Sequence, residues 1–152
     1  MKFDEIDEKL LGLLQEDCKR TTKEYADNLG LSTTAVYERI KRLERSKVIT
    51  SYVALIDRFK VNKGFTAFCH VKLVQHTREN IRHFEQEILK LYEVVECHHL
   101  SGDFDYILKI HVKDMEDYRN FMVSKLTAIS HIGSTQSSFT IKEVKHSTAI
   151  PL

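Results

Sequence analysis

The segment from Ser32 to Lys47 concentrates side chains that could recognise a polyanion. It holds five basic and two acidic residues, whereas residues 1–27 hold eight acidic and five basic ones. Lysine and arginine neutralise phosphates, and hydroxyl and carboxylate groups can hydrogen-bond to base edges, so this chemistry predicts contact with double-stranded DNA. We expect contacts to base edges or the groove floor from Thr33, Thr34, Tyr37 and Glu38, phosphate contacts from Arg39, Lys41, Arg42 and Arg45, and a place for Ser32 in the same DNA-binding surface.

Three short helices are predicted to position these side chains. Asp4 is a candidate N-cap for the first, and apolar residues recur at spacings of three and four over residues 6–14. The second helix should run from about Thr22 to Leu29 and end at Gly30, and Ser32 should cap the third. A glycine turn before the last of three helices is typical of a helix-turn-helix domain. Charge alone would fit an ordinary solvated helix face equally well, so the helix spacing, the glycine and the cap carry the DNA interpretation.

The composition is that of a folded globular protein and argues against a membrane-spanning or secreted one. The chain has 152 residues, a formal net charge of +1, 42% hydrophobic and 30% charged residues, which is ordinary for a folded globular protein. No apolar run reaches the roughly 18 residues needed to cross a membrane, and acidic residues interrupt the N-terminal apolar stretch, unlike a signal peptide. Three widely spaced cysteines favour free thiols. We therefore expect a cytoplasmic location.

The hydrophobic period changes near residue 48 from helical to alternating. A short apolar strand is predicted over residues 53–56, followed by a polar hinge. Strands are then expected at residues 65–73, 94–100, 104–112 and within 134–145, with helices over about 78–92 and from Asp114 to Leu126. The order β-α-β-β-α-β predicts a ferredoxin-like antiparallel sheet with both helices on one face. The other face would expose Phe68 and Ile107, which favours packing against a second copy.

The predicted fold class is therefore α+β, with a three-helix, winged-type helix-turn-helix domain and a C-terminal ferredoxin-like βαββαβ domain. The expected boundaries are residues 1–50 for the helical domain, 51–64 for the connecting strand and hinge, and 65–152 for the second domain.

At these segments the sequence resembles the leucine-responsive regulator/AsnC family of transcription factors. The similarity is carried by DEIDEKLLGLLQED, GLSTTAVYERIKRLE, VITSYVALID and VVECHHLSGDFDYILKIHVKDMEDYRNF, in matching order along essentially the whole chain. Three positions depart from the family pattern, because Cys18, Lys47 and His131 stand where many members have glycine. The resemblance implies a sequence-specific transcriptional regulator and not an enzyme.

The resemblance also implies a C-terminal effector-sensing (RAM) domain that dimerises through its sheet, with further assembly, often to octamers. A small effector, usually an amino acid, would bind between subunits; no other cofactor is expected. The effector positions implied are Glu96, Ser101, Gly102, Asp103, Phe104, Asp105, Tyr106, Thr135 and Ser137. An amino-acid zwitterion needs an anion for its ammonium group and hydroxyl or backbone N–H groups for its carboxylate.

Other interpretations remain open at this point. Neighbouring His98 and His99 should lie on opposite faces of a strand, which disfavours a shared metal ion. Asp103 and Asp105 could form a catalytic carboxylate pair, but a turn and a pocket residue are the simpler interpretation. An architectural protein that wraps DNA, and a small enzyme or amino-acid-binding protein with an incidental helical domain, are the alternative functions.

Overall fold

The computed structural model describes residues 3–152 and divides the chain into two compact units. One unit contains the residues up to Leu55 together with Val144–Leu152, and the other contains Ile56–Glu143. The last nine residues, expected in the second domain, therefore pack with the first unit.

The first unit contains three helices, α1 (Glu5–Glu16), α2 (Thr22–Leu29) and α3 (Thr33–Arg45). Each begins at a side-chain N-cap: Asp4, Thr21 and Ser32 accept hydrogen bonds from backbone N–H groups one turn later. Gly30 ends α2 with a φ of 66°, a left-handed conformation that glycine adopts without a steric penalty. The buried core joins all three helices through Leu10, Leu11, Tyr25, Ala26, Val36 and Leu43.

The segment after α3 differs from the prediction. Residues 50–57 form no strand in the structure, and no β-wing follows the three helices within residues 46–64. A strand needs a hydrogen-bonded neighbour, and this segment finds none within the described part of the chain. Its apolar side chains are left in solvent, with Val53 71% and Leu55 68% exposed.

The second unit has the predicted β-α-β-β-α-β order. Its elements are β1 (Phe65–Leu73), α4 (Arg78–Ile88), β2 (Val94–His99), β3 (Tyr106–Val112), α5 (Met115–Phe121) and β4 (Ile132–Phe139). The strands form one antiparallel sheet in the order β2-β3-β1-β4. Alternate residues of β1 and β3 are buried with Phe84, Ile88, Tyr118, Phe121 and Leu126 from the helices, which confirms the two-layer prediction.

Three element ends differ from the prediction. Helix α4 stops at Ile88 because residues 89–91 turn to bring Val94 opposite Ile110 in the sheet. Strand β3 begins at Tyr106 and not at residue 104, and β4 begins at Ile132, two residues before the predicted range. Helix α5 continues as a π-helical turn, Met122–Leu126, in which Thr127 N–H bonds to the carbonyl of Met122.

Candidate DNA interface and effector site

One face of α3 is open to solvent along its whole length. Thr33, Thr34, Tyr37 and Glu38 are exposed, and Arg45 continues the same face at the C-terminal end. The opposite face is fixed because Val36 and Leu43 are fully buried in the helical core. The predicted base-reading residues therefore lie together on a surface that a groove could accept, and Ser32 lies just before it, where its hydroxyl accepts from Ala35 N–H at 3.2 Å.

Arg39 and Arg42, two of the predicted phosphate ligands, form ion pairs with carboxylates at the start of α1. Arg39 Nη1 lies 2.7 Å from Asp7 Oδ1 and 2.8 Å from Asp4 Oδ2. Arg42 Nη2 lies 2.6 Å from both carboxylate oxygens of Asp7. These arginines join α3 to the start of α1, where Asp4 and Asp7 also form a reciprocal capping box. The hydrogen bond from Arg39 is the main reason why the pKa of Asp4 lies below its usual value.

Sequence reasoning missed Asp4 and Asp7 as partners of the recognition helix. The signal was present, because carboxylates at i and i+3 of α1 and arginines at i and i+3 of α3 each share one helix face. Nothing in a local pattern indicates that the two faces meet.

Lys41 and Arg45 are the other two residues that the sequence predicts to contact phosphates. Lys41 Nζ lies 2.8 Å from Glu44 Oε2 and 5.6 Å from the centre of the Tyr37 ring. Glu44 also accepts a hydrogen bond from Tyr52 at 3.1 Å, and burial together with this carboxylate raises the pKa of Tyr52 to about 12. Arg45 is exposed and lies one turn beyond Lys41, so it is the best placed of the four predicted phosphate ligands.

The loop between β2 and β3 carries the predicted effector positions. Ser101, Gly102 and Asp103 are exposed, and Gly102 has a φ of 151°. Phe104 is half-buried, with its ring 5.2 Å from that of His70. The first three residues are therefore available to a ligand.

Asp105 and Tyr106 have structural partners instead. Asp105 is 3% exposed, its Oδ2 accepts from Leu73 N–H at 2.7 Å, and its Oδ1 lies 2.8 Å from His76 Nε2. Tyr106 is buried, and its hydroxyl donates to Glu85 Oε1 at 3.0 Å. These contacts anchor the loop, and the effector role of Asp105 and Tyr106 stays a prediction.

The remaining predicted effector residues are not brought together within one chain. Glu96 lies on edge strand β2 opposite Lys109, on the face without helices, where Lys109 Nζ is 2.8 Å away. Thr135 and Ser137 lie on the other edge strand, β4, on the helix-covered face, and Ser137 Oγ is 2.6 Å from the Tyr118 hydroxyl. The edge strands are three strand spacings apart, about 14 Å.

The adjacent histidines His98 and His99 lie on opposite faces of the sheet. His98 pairs with Ile107 on the open face, whereas His99 pairs with Tyr106 on the helix-covered face and stacks on its ring at 4.6 Å. Among residues 3–152, no group of three or more His, Cys, Asp or Glu side chains is placed to hold a metal ion. The helices within those residues are all too short or too polar to cross a bilayer.

A helix-turn-helix unit with an open recognition helix, followed by a ferredoxin-like domain, defines a DNA-binding regulator with a separate sensing domain. The AsnC-type helix-turn-helix domain family matches residues 3–44, and the Lrp/AsnC ligand binding domain family matches residues 66–150. The chain belongs to the Lrp/AsnC family and is a DNA-binding transcriptional regulator rather than an enzyme.

Characterised relatives match over nearly the full length. The chain is 33% identical to the DNA-binding transcriptional activator DecR of Escherichia coli K12 over 150 residues, 99% of each protein. It is 34% identical to the leucine-responsive regulatory protein of the same organism, covering 97% of this chain and 90% of that protein. A crystal structure of a transcriptional regulator from Neisseria meningitidis in complex with L-Met superposes with a TM-score of 0.94 at 32% identity, covering 99% and 97%.

Proposed function

We propose that this regulator binds a free amino acid and that the bound effector changes its self-association or its affinity for DNA. The observation that carries the proposal is the exposed loop Ser101–Asp103, which the buried Asp105 holds at the end of the sheet. Asp103 supplies a carboxylate for an ammonium group, and Ser101 with the backbone around Gly102 supplies donors for a carboxylate. The similar Neisseria regulator was crystallised with L-Met, which supports this class of effector.

The effector site is completed by a second copy of the chain. Glu96, Thr135 and Ser137 lie at opposite edges and on opposite faces of the sheet, so they can join one site with the loop only across an interface. Exposed apolar side chains at Val53, Leu55 and Ile56 favour self-association as well. We propose a homodimer that assembles further, up to an octamer, in the cytoplasm.

The base-edge contacts are assigned from exposure, and the phosphate contacts from exposure together with ion pairing, since Lys41 pairs within α3 whereas Arg42 pairs with α1. Thr33, Thr34, Tyr37 and Glu38 reach base edges, and Lys41 and Arg45 contact phosphates. Ser32 fixes the start of the helix. Arg39 and Arg42 act as positioning residues through Asp4 and Asp7.

The effector proposal is tested by thermal unfolding in the presence of each of the twenty amino acids. A ligand at 100 times its Kd adds about 2.7 kcal/mol to stability, so a genuine effector raises Tm clearly. That amino acid should also change the gel-shift pattern on DNA from the chain's own upstream region. If none of the twenty alters either Tm or the gel shift, the amino-acid proposal is wrong.

A preference for that upstream DNA over random DNA tests sequence specificity separately. A footprint much longer than about 30 base pairs, with periodic sensitivity, would instead favour the wrapping function.

A further inference from the structure

The C-terminal segment Val144–Leu152 packs with the DNA-binding unit although it follows the last strand of the other unit. Its main polar contact is with Gln15 on α1. Ile150 N–H donates to Gln15 Oε1 at 2.7 Å, and Gln15 Nε2 donates to the carbonyl of Ile150 at 3.0 Å. One side-chain amide thus satisfies both backbone groups of a single residue, as a neighbouring strand would.

The sequence favours an extended conformation at the end of this segment, which lies in no helix or strand. Pro151 disfavours the helical region for the preceding residue and so favours extended backbone at Ile150. Thr148, Ile150 and Leu152, at every second position, line one cavity of about 540 Å³. The two other walls of that cavity come from α1, at Leu11, Leu14 and Gln15, and from the chain after α3, at residues 48–53 and Leu55.

Both of these walls of the cavity are joined to the recognition helix α3. At its N-terminal end, α1 holds Arg39 and Arg42 through Asp7. The other wall follows α3 directly, and the N–H groups of Val48 and Ile49 both donate to the carbonyl of Leu43. The C-terminal segment therefore bridges the two parts of the unit that fix the position of α3.

We propose that Val144–Leu152 is a releasable strap that holds α1 and the chain after α3 in the arrangement that binds DNA. It is suited to release because its apolar side chains are only partly covered, with Ile150 69% and Leu152 64% exposed. Four residues separate it from β4, the strand that carries Thr135 and Ser137. An effector that displaces β4 would act on the DNA-binding unit through this strap. This last step rests on the proposed function.

The test uses the full chain, the Gln15→Ala variant and a chain ending at Glu143. We expect both changes to weaken binding to the upstream DNA by about fivefold or more, measured by fluorescence anisotropy, and to speed hydrogen exchange of the α1 amides. A synthetic peptide of residues 144–152 should restore the affinity of the truncated chain, but not that of a truncated chain that also carries Gln15→Ala.

Gln86→Ala is the matched control, because Gln86 is an exposed glutamine on α4 of the other unit. It should change neither measurement. The strap proposal is wrong if truncation changes neither the DNA affinity nor the hydrogen exchange of the α1 amides. It is also wrong if the peptide restores the DNA affinity of the truncated chain that carries Gln15→Ala. The hydrogen-exchange measurement requires neither DNA nor effector. It therefore still tests the strap if none of the twenty amino acids proves to be an effector.

Discussion

Asp7 and Arg42 join the first helix to the recognition helix through an almost completely buried carboxylate. Asp7 is 1% exposed, and Arg42 Nη2 lies 2.6 Å from both of its oxygens. Arg39 Nη1 contacts the same carboxylate at 2.7 Å. Two arginines one turn apart on α3 therefore converge on one acid, which fixes the rotation of α3 about its axis and hence which side chains face the groove.

Replacing Asp7 by Asn should destabilise the DNA-binding unit and weaken DNA binding together. The amide keeps the size of the side chain but removes the charge that two guanidinium groups share. Because those groups remain partly solvated, the expected loss is about 1–3 kcal/mol rather than the full cost of breaking a buried ion pair. Urea unfolding gives the stability change, and anisotropy gives the affinity.

Asp27→Asn provides the comparison, since Asp27 is an exposed aspartate on α2. It makes the same change of charge, and we expect its stability to stay within about 0.5 kcal/mol of the parent. Equal stability of the two variants would show that the Asp7 contacts contribute nothing to the unit.

Local sequence patterns predicted the fold well but predicted partners poorly. Ser32, Gly30 and Asp114 are local signals, and each caps or ends a helix as expected. Arg39 and Arg42 were expected to contact phosphates because their charge is visible in the sequence, but the sequence does not show that they pair with Asp7, which is 32 and 35 residues away. Likewise, alternation at residues 53–56 indicates a strand but does not provide the neighbouring strand that it requires.

Arg45→Ala should weaken DNA binding without affecting stability. Arg45 is exposed at the end of the open face of α3. Removing one phosphate contact should reduce affinity for all sequences alike and lower the salt dependence of log Kd by about one unit. Arg119→Ala, at an exposed position on α5 of the other unit, should leave the slope unchanged. If the salt dependence of log Kd is the same for both variants, Arg45 does not contact a phosphate.

Substitutions at Asp103 and Asp105 should affect different properties, effector binding for Asp103 and stability for Asp105. Asp105→Asn disturbs a carboxylate that accepts from Leu73 N–H and contacts His76, so stability should fall by about 1–3 kcal/mol. Asp103→Asn, in the exposed loop, should keep stability within about 0.5 kcal/mol while reducing the Tm shift caused by the effector. An undiminished effector shift in Asp103→Asn would exclude this carboxylate as the ammonium ligand.

His131→Gly should stabilise the second unit. His131 has a φ of 69°, a left-handed conformation that costs non-glycine residues about 1–2 kcal/mol. Its carbonyl accepts from Val74 N–H at 2.9 Å, and glycine retains that bond. Glycine loses more conformational entropy on folding, which offsets part of this gain. The free energy of unfolding, measured with urea, should therefore rise by a net of about 0.5–1 kcal/mol. Ser130→Gly, one residue earlier, should give a loss instead; a loss at both positions would contradict the strain argument.

Stability should fall at alkaline pH because of Tyr118. Burial raises the pKa of Tyr118 to about 12, whereas a tyrosine in the unfolded chain has a pKa of about 10. Between these values the unfolded chain releases the proton and the folded chain keeps it, so the unfolded state is favoured by up to about 1.4 kcal/mol per pH unit. The contribution is therefore present below pH 10 and is lost as the pH rises.

Tyr118→Phe should be less stable near pH 8, because it loses the contact with Ser137, but should have a shallower decline in unfolding free energy between pH 10 and 12. Parallel declines in the two proteins would place the alkaline sensitivity elsewhere, with Tyr106, whose pKa burial also raises, as the next residue to replace.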